Sequence, residues 1–132
     1  MKFIMRHAQT EDGWPDKSRR LSPTGAAQAR TVGEWLVGKG VERITSSGAT
    51  RAMETAQIVG QVLNITPTVR EDLYAAPAQR LVDAAEDGLL LVGHNPACED
   101  SYEVMTGKWG PRFEPGTVAG FGPKGKIELF TP

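Results

Sequence analysis

Two histidines occur in the 132-residue chain, and each stands at the end of an apolar run. "KFIM" leads into Arg6 and His7, and "LLLVG" leads into His94. A third apolar segment, "VERITSS", ends at Ser47 and is followed by Arg51. Imidazole changes charge near neutrality and serves as nucleophile, acid or base. Guanidinium presents a planar fork of donors that matches phosphate oxygens two at a time. Two imidazoles, two guanidiniums and several helix N-termini suit a tetrahedral oxyanion, phosphate above all. Metal chemistry fits less well, because two histidines without a clustered set of Cys, Asp or Glu form no zinc site. No glycine loop ending in Lys and Ser/Thr is present, which disfavours nucleotide hydrolysis.

These residues act together only if the elements bring them together. "KFIM", "VERITSS" (41–47) and "LLLVG" (89–93) read as strands, "PTVRED" (67–72) as a weaker one. A helix over "LSPTGAAQARTVGEWLVGKG" takes Ser22 as N-cap and Pro23 at its first position, with Ala26, Ala29, Val32, Gly33 and Leu36 on one face. A second helix starts near Gly48 and buries Ala52, Ala56, Val59 and Leu63. "PAQRLVDAAEDG" predicts a helix ending at Gly88. "NPACEDSYEVMTG" predicts a last one capped by Asn95, with Pro96 at its first position. The tail, "GTVAGFGPKGKIELFTP", reads as an antiparallel hairpin about Pro-Lys-Gly. Alternation of strand and helix implies an α/β protein: a three-layer α/β/α sandwich on a mostly parallel sheet, with the C-terminal hairpin at one edge. Ligands of such sheets sit beyond the carboxyl ends of the strands. Arg6, His7, Ser47, Arg51 and His94 are all predicted there.

Composition sets outer bounds. At 132 residues, 39% hydrophobic and 23% charged, the chain reads as one globular domain, residues 1–132. A net charge of −1 gives no basic footprint, so no nucleic-acid partner is expected. No apolar run approaches the roughly 18 residues that span a bilayer, and no secretory h-region precedes Arg6, so no membrane partner is expected. Cys98, the single cysteine, fits a reducing compartment, with the cytoplasm as default.

Four strings, in order, resemble one family. "RHAQT" is similar to the RHG signature of the histidine phosphatase superfamily, the phosphoglycerate-mutase-like proteins. "LSPTGAAQA" resembles its L-T-x-x-G-x-x-Q-A segment, "SGATRAMETA" its S-x-x-x-R-A-x-x-T-A segment, and "LLLVGHNP" the strand carrying its second histidine. The small size is similar to SixA-type phosphohistidine phosphatases. The resemblance implies that His7 is the nucleophile, becoming a phosphohistidine. It also implies that Arg6 and Arg51 clamp the phosphoryl oxygens and that His94 hydrogen-bonds the same group. No cofactor or metal is implied. His7 must be neutral to attack, and Arg6 beside it disfavours the charged ring. The chain departs from the pattern at Ala8, where the signature has glycine, and at Gln9, where many relatives have Glu.

The leaving-group acid of larger members follows the third strand. Here the segment is "VREDLYAAP", with Glu71 the nearest candidate and Asp72 the next. A weak acid position leans towards phosphohistidine of a protein as substrate, because protonated imidazole leaves readily. A small phosphorylated metabolite stays open, with Arg112 or Lys17, Arg19 and Arg20 adding specificity. So does a non-catalytic module that recognises phosphate. A mutase needs lids over a closed pocket, for which the chain is short.

Overall fold

A computed structural model describes residues 1–132. The elements run β1 (Lys2–Arg6), α1 (Pro23–Leu36), β2 (Arg43–Ser46), α2 (Thr50–Leu63), β3 (Thr68–Val69), α3 (Ala78–Ala84), β4 (Leu89–Gly93), α4 (Ala97–Thr106), β5 (Val118–Phe121) and β6 (Ile127–Phe130). They form one six-stranded sheet in the order β3-β2-β4-β1-β5-β6. The first four strands of that order are parallel, while β5 and β6 add antiparallel pairs. The expected α/β sandwich with an edge hairpin is what forms.

Alternation along the central strands divides the core. Phe3, Met5, Ile44, Leu90 and Val92 face α1 and α2, packing on Ala29, Val32, Leu36, Ala52, Ala56 and Val59. Ile4, Leu89 and Leu91 face the other way, onto Leu81 and Ala84 of α3 and Ala97, Cys98 and Tyr102 of α4. β4 is buried on both faces throughout, which is why its sequence is an unbroken apolar run. The helix after β1 lies on one face and the helix after β4 on the other, so the sheet has its switch point between these neighbours. A crevice opens there, at the carboxyl ends of the strands.

Register does the rest. Arg6 pairs with Gly93 and Ser46 with Val92, so the next residues, His7, His94 and Ser47, emerge side by side. The backbone N–H of His7 donates to Gly93 O (3.0 Å) and that of Ser47 to Val92 O (3.1 Å).

Several local expectations need correction. Gly25, not Ala26, takes the buried position at the start of α1, and Leu63 is only half-buried. β3 has two residues, both exposed, because the chain turns into a 3-10 turn at Glu71–Leu73. α3 stops at Ala84, and a loop carries the chain on to Gly88, whose φ of 79° makes the turn into β4. Asn95 does not cap α4. Pro96 occupies the cap position with helical dihedrals, no side chain caps the end, and the helix starts at Ala97.

The start of α1 is fastened to the segment after His7. Ser22 caps as expected, accepting from Gly25 N–H (3.0 Å), while its own N–H donates to Gln9 O (3.0 Å). A Cβ on Gly25 would collide with the Gln9 carbonyl, a backbone group with no rotamer to yield. Replacing Gly25 by alanine should therefore destabilise, by about 1–3 kcal/mol of overpacking. That outweighs the roughly 1 kcal/mol alanine gains in helix propensity. A urea titration measures it; an unchanged or raised midpoint would refute the close approach.

Candidate active site

The segment carrying His7 is held from three sides. Its N–H is paired to β4, its carbonyl accepts from Gly116 N–H (3.0 Å), and the next N–H, of Ala8, donates to Thr55 Oγ1 (3.1 Å) on α2. Ala8 is fully buried, so its methyl, where the family signature has glycine, fills core rather than obstructing the crevice. Within this frame His7 Nδ1 lies 2.7 Å from Ala8 O. A carbonyl only accepts, so Nδ1 carries the proton. Nε2 is left with its lone pair, and Arg51 Nε–H points at it from 3.3 Å. Nε2 is thus the unprotonated nitrogen of the ring.

Arg51, in the first turn of α2 as expected, is buried. Its Nη1 donates to Asp16 O (2.8 Å) and its Nη2 to Asp16 Oδ2 (3.1 Å). Arg6 Nη1 donates to Phe113 O (2.9 Å), which also accepts from Asn95 Nδ2 (2.9 Å). The two imidazoles stand 5.2 Å apart between centroids.

His94 is oriented by Ser47, whose Oγ lies 2.6 Å from Nε2. That hydroxyl oxygen also accepts from Ala49 N–H (3.3 Å), and with two lone pairs it can either donate to His94 Nε2 or accept from it. His94 Nδ1 and Arg6 Nε are both buried without a partner in the protein. Unmet buried polar atoms cost free energy unless a ligand takes them up. With His7 and Arg51 they line a cavity of about 290 Å³ that has no hydrophobic residue in its wall. Four residues expected to share one anion thus border one polar crevice.

Burial pushes the His7 pKa down from 6.5 to about 3 against the bond to Ala8 O, with the charges of His94, Arg51 and Arg6 adding to the fall. Burial likewise lowers His94 to about 4, assisted mainly by Arg51. Desolvation, more than Arg6, is what keeps the His7 ring neutral, which corrects the emphasis drawn from the Arg6–His7 adjacency.

Glu71 lies apart from the crevice wall. Its side chain is 69% exposed and its carboxylate pairs with Lys17 Nζ at 2.9 Å. Asp72 forms a two-point pair with Arg70. Arg20 is drawn to Glu54, and Arg112 is exposed, whereas Arg19 does reach the crevice. Residues not singled out by the sequence pattern also matter. Asp16 receives Tyr74 Oη–H (2.9 Å) as well as Arg51, and the Tyr74 ring meets His94 edge-on at 5.6 Å. Nothing in the spacing of "WPDKS" or "LYAAP" signals that these loops meet; only their folding reveals it.

The sequence model of the Histidine phosphatase superfamily (branch 1) matches residues 3–76. The chain belongs to this superfamily. It is 30% identical to a "Phosphohistidine phosphatase SixA homolog" of Haemophilus influenzae, over 89% of this chain and 84% of that protein. Human "Serine/threonine-protein phosphatase PGAM5, mitochondrial" shares 38% over 74 residues, 54% of this chain but 26% of the relative. Among solved structures, a SixA-assigned protein of Agrobacterium tumefaciens has the same fold, with TM-score 0.86 and 22% identity over 98% of this chain and 96% of that one. The protein histidine phosphatase SixA complexed with tungstate aligns at TM-score 0.76 and 25% identity, over 98% and 94%.

The two imidazoles have a measurable signature. The unfolded chain protonates both near pH 6.5, whereas the native rings stay neutral until about 3 and about 4. The unfolded state then binds more protons between these limits, so stability is full above pH ~6.5 and is lost as pH falls. Histidine C2–H resonances followed by NMR should show no titration between about pH 8 and pH 5. An inflection near 6.5 for either ring would contradict the burial argument.

Proposed function

We propose that this chain is a metal-independent phosphatase working through a phosphohistidine on His7, with phosphohistidine of a protein as its substrate. The observation that carries the reading is the orientation of His7: Nδ1–H is spent on Ala8 O, and Nε2 faces Arg51 within a crevice shared with Arg6 and His94. Phosphoryl transfer asks a protein for in-line placement and positive charge around the equatorial oxygens. Arg6 and Arg51 supply the charge, and His94 supplies a further donor when Nδ1 carries the ring proton. Tungstate, bound by the SixA relative, is itself a tetrahedral oxyanion.

In the first step the Nε2 lone pair of His7 forms a bond to phosphorus while the bond to the leaving group breaks. In the second, water attacks phosphorus, the P–Nε2 bond breaks, and His7 returns to its neutral tautomer as the water's proton leaves with phosphate or solvent. Splitting hydrolysis this way lets one set of cations serve both displacements. No proton from Glu71 is needed when the leaving group is an imidazole already protonated on its other nitrogen.

The name of the Haemophilus influenzae relative supports phosphohistidine as the substrate class. So does space: a second cavity of about 500 Å³, walled by Leu73, Ala76, Pro77 and Ala97, shares His94 and Asn95 with the crevice and leaves room for the substrate's carrier. We take residues 1–132 to act as one domain and place it in the cytoplasm, as expected from its single cysteine, which is buried.

Rapid quench after mixing with a labelled phosphodonor should trap an acid-labile, base-stable label on the native protein. His7→Ala should abolish it and lower turnover by at least about 1,000-fold. Chelators should leave activity intact. Binding of aryl phosphate without turnover would instead make the chain a phosphate-recognising module.

A further inference from the structure

We infer that Asp16 selects the leaving group, favouring a protonated nitrogen base over an alkoxide or phenolate. The inference rests on the phosphatase reading above and concerns a residue that reading does not use.

Two of the three arginines that line the crevice are paired to one carboxylate, Asp16. Asp16 Oδ2 accepts from Arg51 Nη2 (3.1 Å) and Tyr74 Oη (2.9 Å), and Oδ1 from Arg19 Nη1 (3.3 Å). Arg19 and Arg51 both line the crevice, and Asp16, which does not line it, accepts from both. One guanidinium group and two hydrogen bonds connect it to the attacking atom, since Arg51 Nε reaches His7 Nε2. Through Tyr74 it is also tied to His94. The three donors hold Asp16 below the usual carboxylate range, the Tyr74 hydroxyl being the largest influence, so it is ionised at neutral pH.

An ionised carboxylate cannot protonate a departing oxygen, and it repels negative charge building on one. It does the opposite for an imidazole. A phosphorylated imidazole protonated on its distal nitrogen presents an N–H, which Asp16 accepts, holding the ring in the form that leaves well. The bond pair of the breaking P–N bond returns to the proximal nitrogen and the distal proton stays in place. The product is neutral imidazole, and no proton has to arrive from elsewhere. Asp16 thus favours nitrogen leaving groups by keeping the ring in the protonated form that departs neutral, and disfavours oxygen ones, on which negative charge builds. Its partial exposure, 47% of the side chain, leaves it reachable by a substrate ring.

Asp16→Asn tests this, because asparagine keeps the shape, its oxygen can still accept from Arg51, and the backbone contact Asp16 O to Arg51 Nη1 is untouched. Initial rates are compared on N-phosphoimidazole and p-nitrophenyl phosphate, with inhibition by tungstate reporting the clamp. The expected result is a fall of about tenfold or more in kcat/KM for phosphoimidazole, the size of one lost hydrogen bond to a charged partner. The aryl phosphate should lose less than the phosphoimidazole or turn over faster, and tungstate should bind as well or better. A parallel fall on both substrates with weakened tungstate would reduce Asp16 to a prop for Arg51 and overturn the inference. A parallel rise, marking Asp16 as an internal competitor for Arg51, would overturn it too, as would no change. Failure of the reading itself is separate: wild-type protein that turns over neither substrate, or carries no label on His7, would show it whatever the variant did.

Discussion

The hydrogen bond from His7 Nδ1–H to the carbonyl of the next residue fixes which nitrogen can react. A side chain bonding to a carbonyl one residue away needs a backbone that cannot drift, and most of the surrounding structure serves that requirement. β4 holds the N–H of His7, Gly116 holds its carbonyl, Thr55 on α2 holds Ala8, and the start of α1 sits directly on Gln9. Parallel pairing of β1 with β4 then places the second histidine beside the first, because His94 follows the residue paired with Arg6. Chemistry and fold meet in a stretch of a few residues.

Electrostatically the site is poised against its own burial. A buried arginine, a buried imidazole and a half-buried one would be costly if all were charged. The imidazoles answer by remaining neutral, and Arg51 by keeping an acidic partner, Asp16, at its outer end. Arg6 Nε and His94 Nδ1 are buried nitrogens that nothing in the protein satisfies. An oxyanion would meet the Arg6 deficit, and that of His94 when Nδ1 carries the ring proton, which is the proposed reason for it to bind beyond charge attraction alone. The same neutrality that lowers the cost of burial keeps the His7 Nε2 lone pair available. In the proposed reaction one physical effect, desolvation, thus serves both the affinity and the attack.

That the residues proposed for the site would lie together was legible in the sequence because strand ends are. An apolar run followed by a polar, chemically capable residue marks a carboxyl end, and three such ends in a parallel sheet converge by topology. Arg6, His7, Ser47, Arg51 and His94 therefore required no knowledge of loops. Asp16 and Tyr74 did. Their encounter depends on how "EDGWPDKS" folds back over the exit from β3, and neither hydrophobic period nor turn propensity encodes it. Asn95 was legible as a residue but not as a role: Pro96 takes the cap, and the amide instead reaches Phe113 O beside Arg6. Helix ends failed for a related reason, since α3 is cut short at Ala84 where the apolar pattern alone would have continued.

The central claim is that His7 reacts through Nε2 because Nδ1 is committed to Ala8 O. The most direct measurement is the position of the phosphoryl group on the trapped enzyme, read by phosphorus–nitrogen coupling in protein labelled with ¹⁵N-histidine. Coupling to Nε2 of His7, with Nδ1 still protonated, is the result this account predicts. Phosphorus on Nδ1, or on His94, would contradict it.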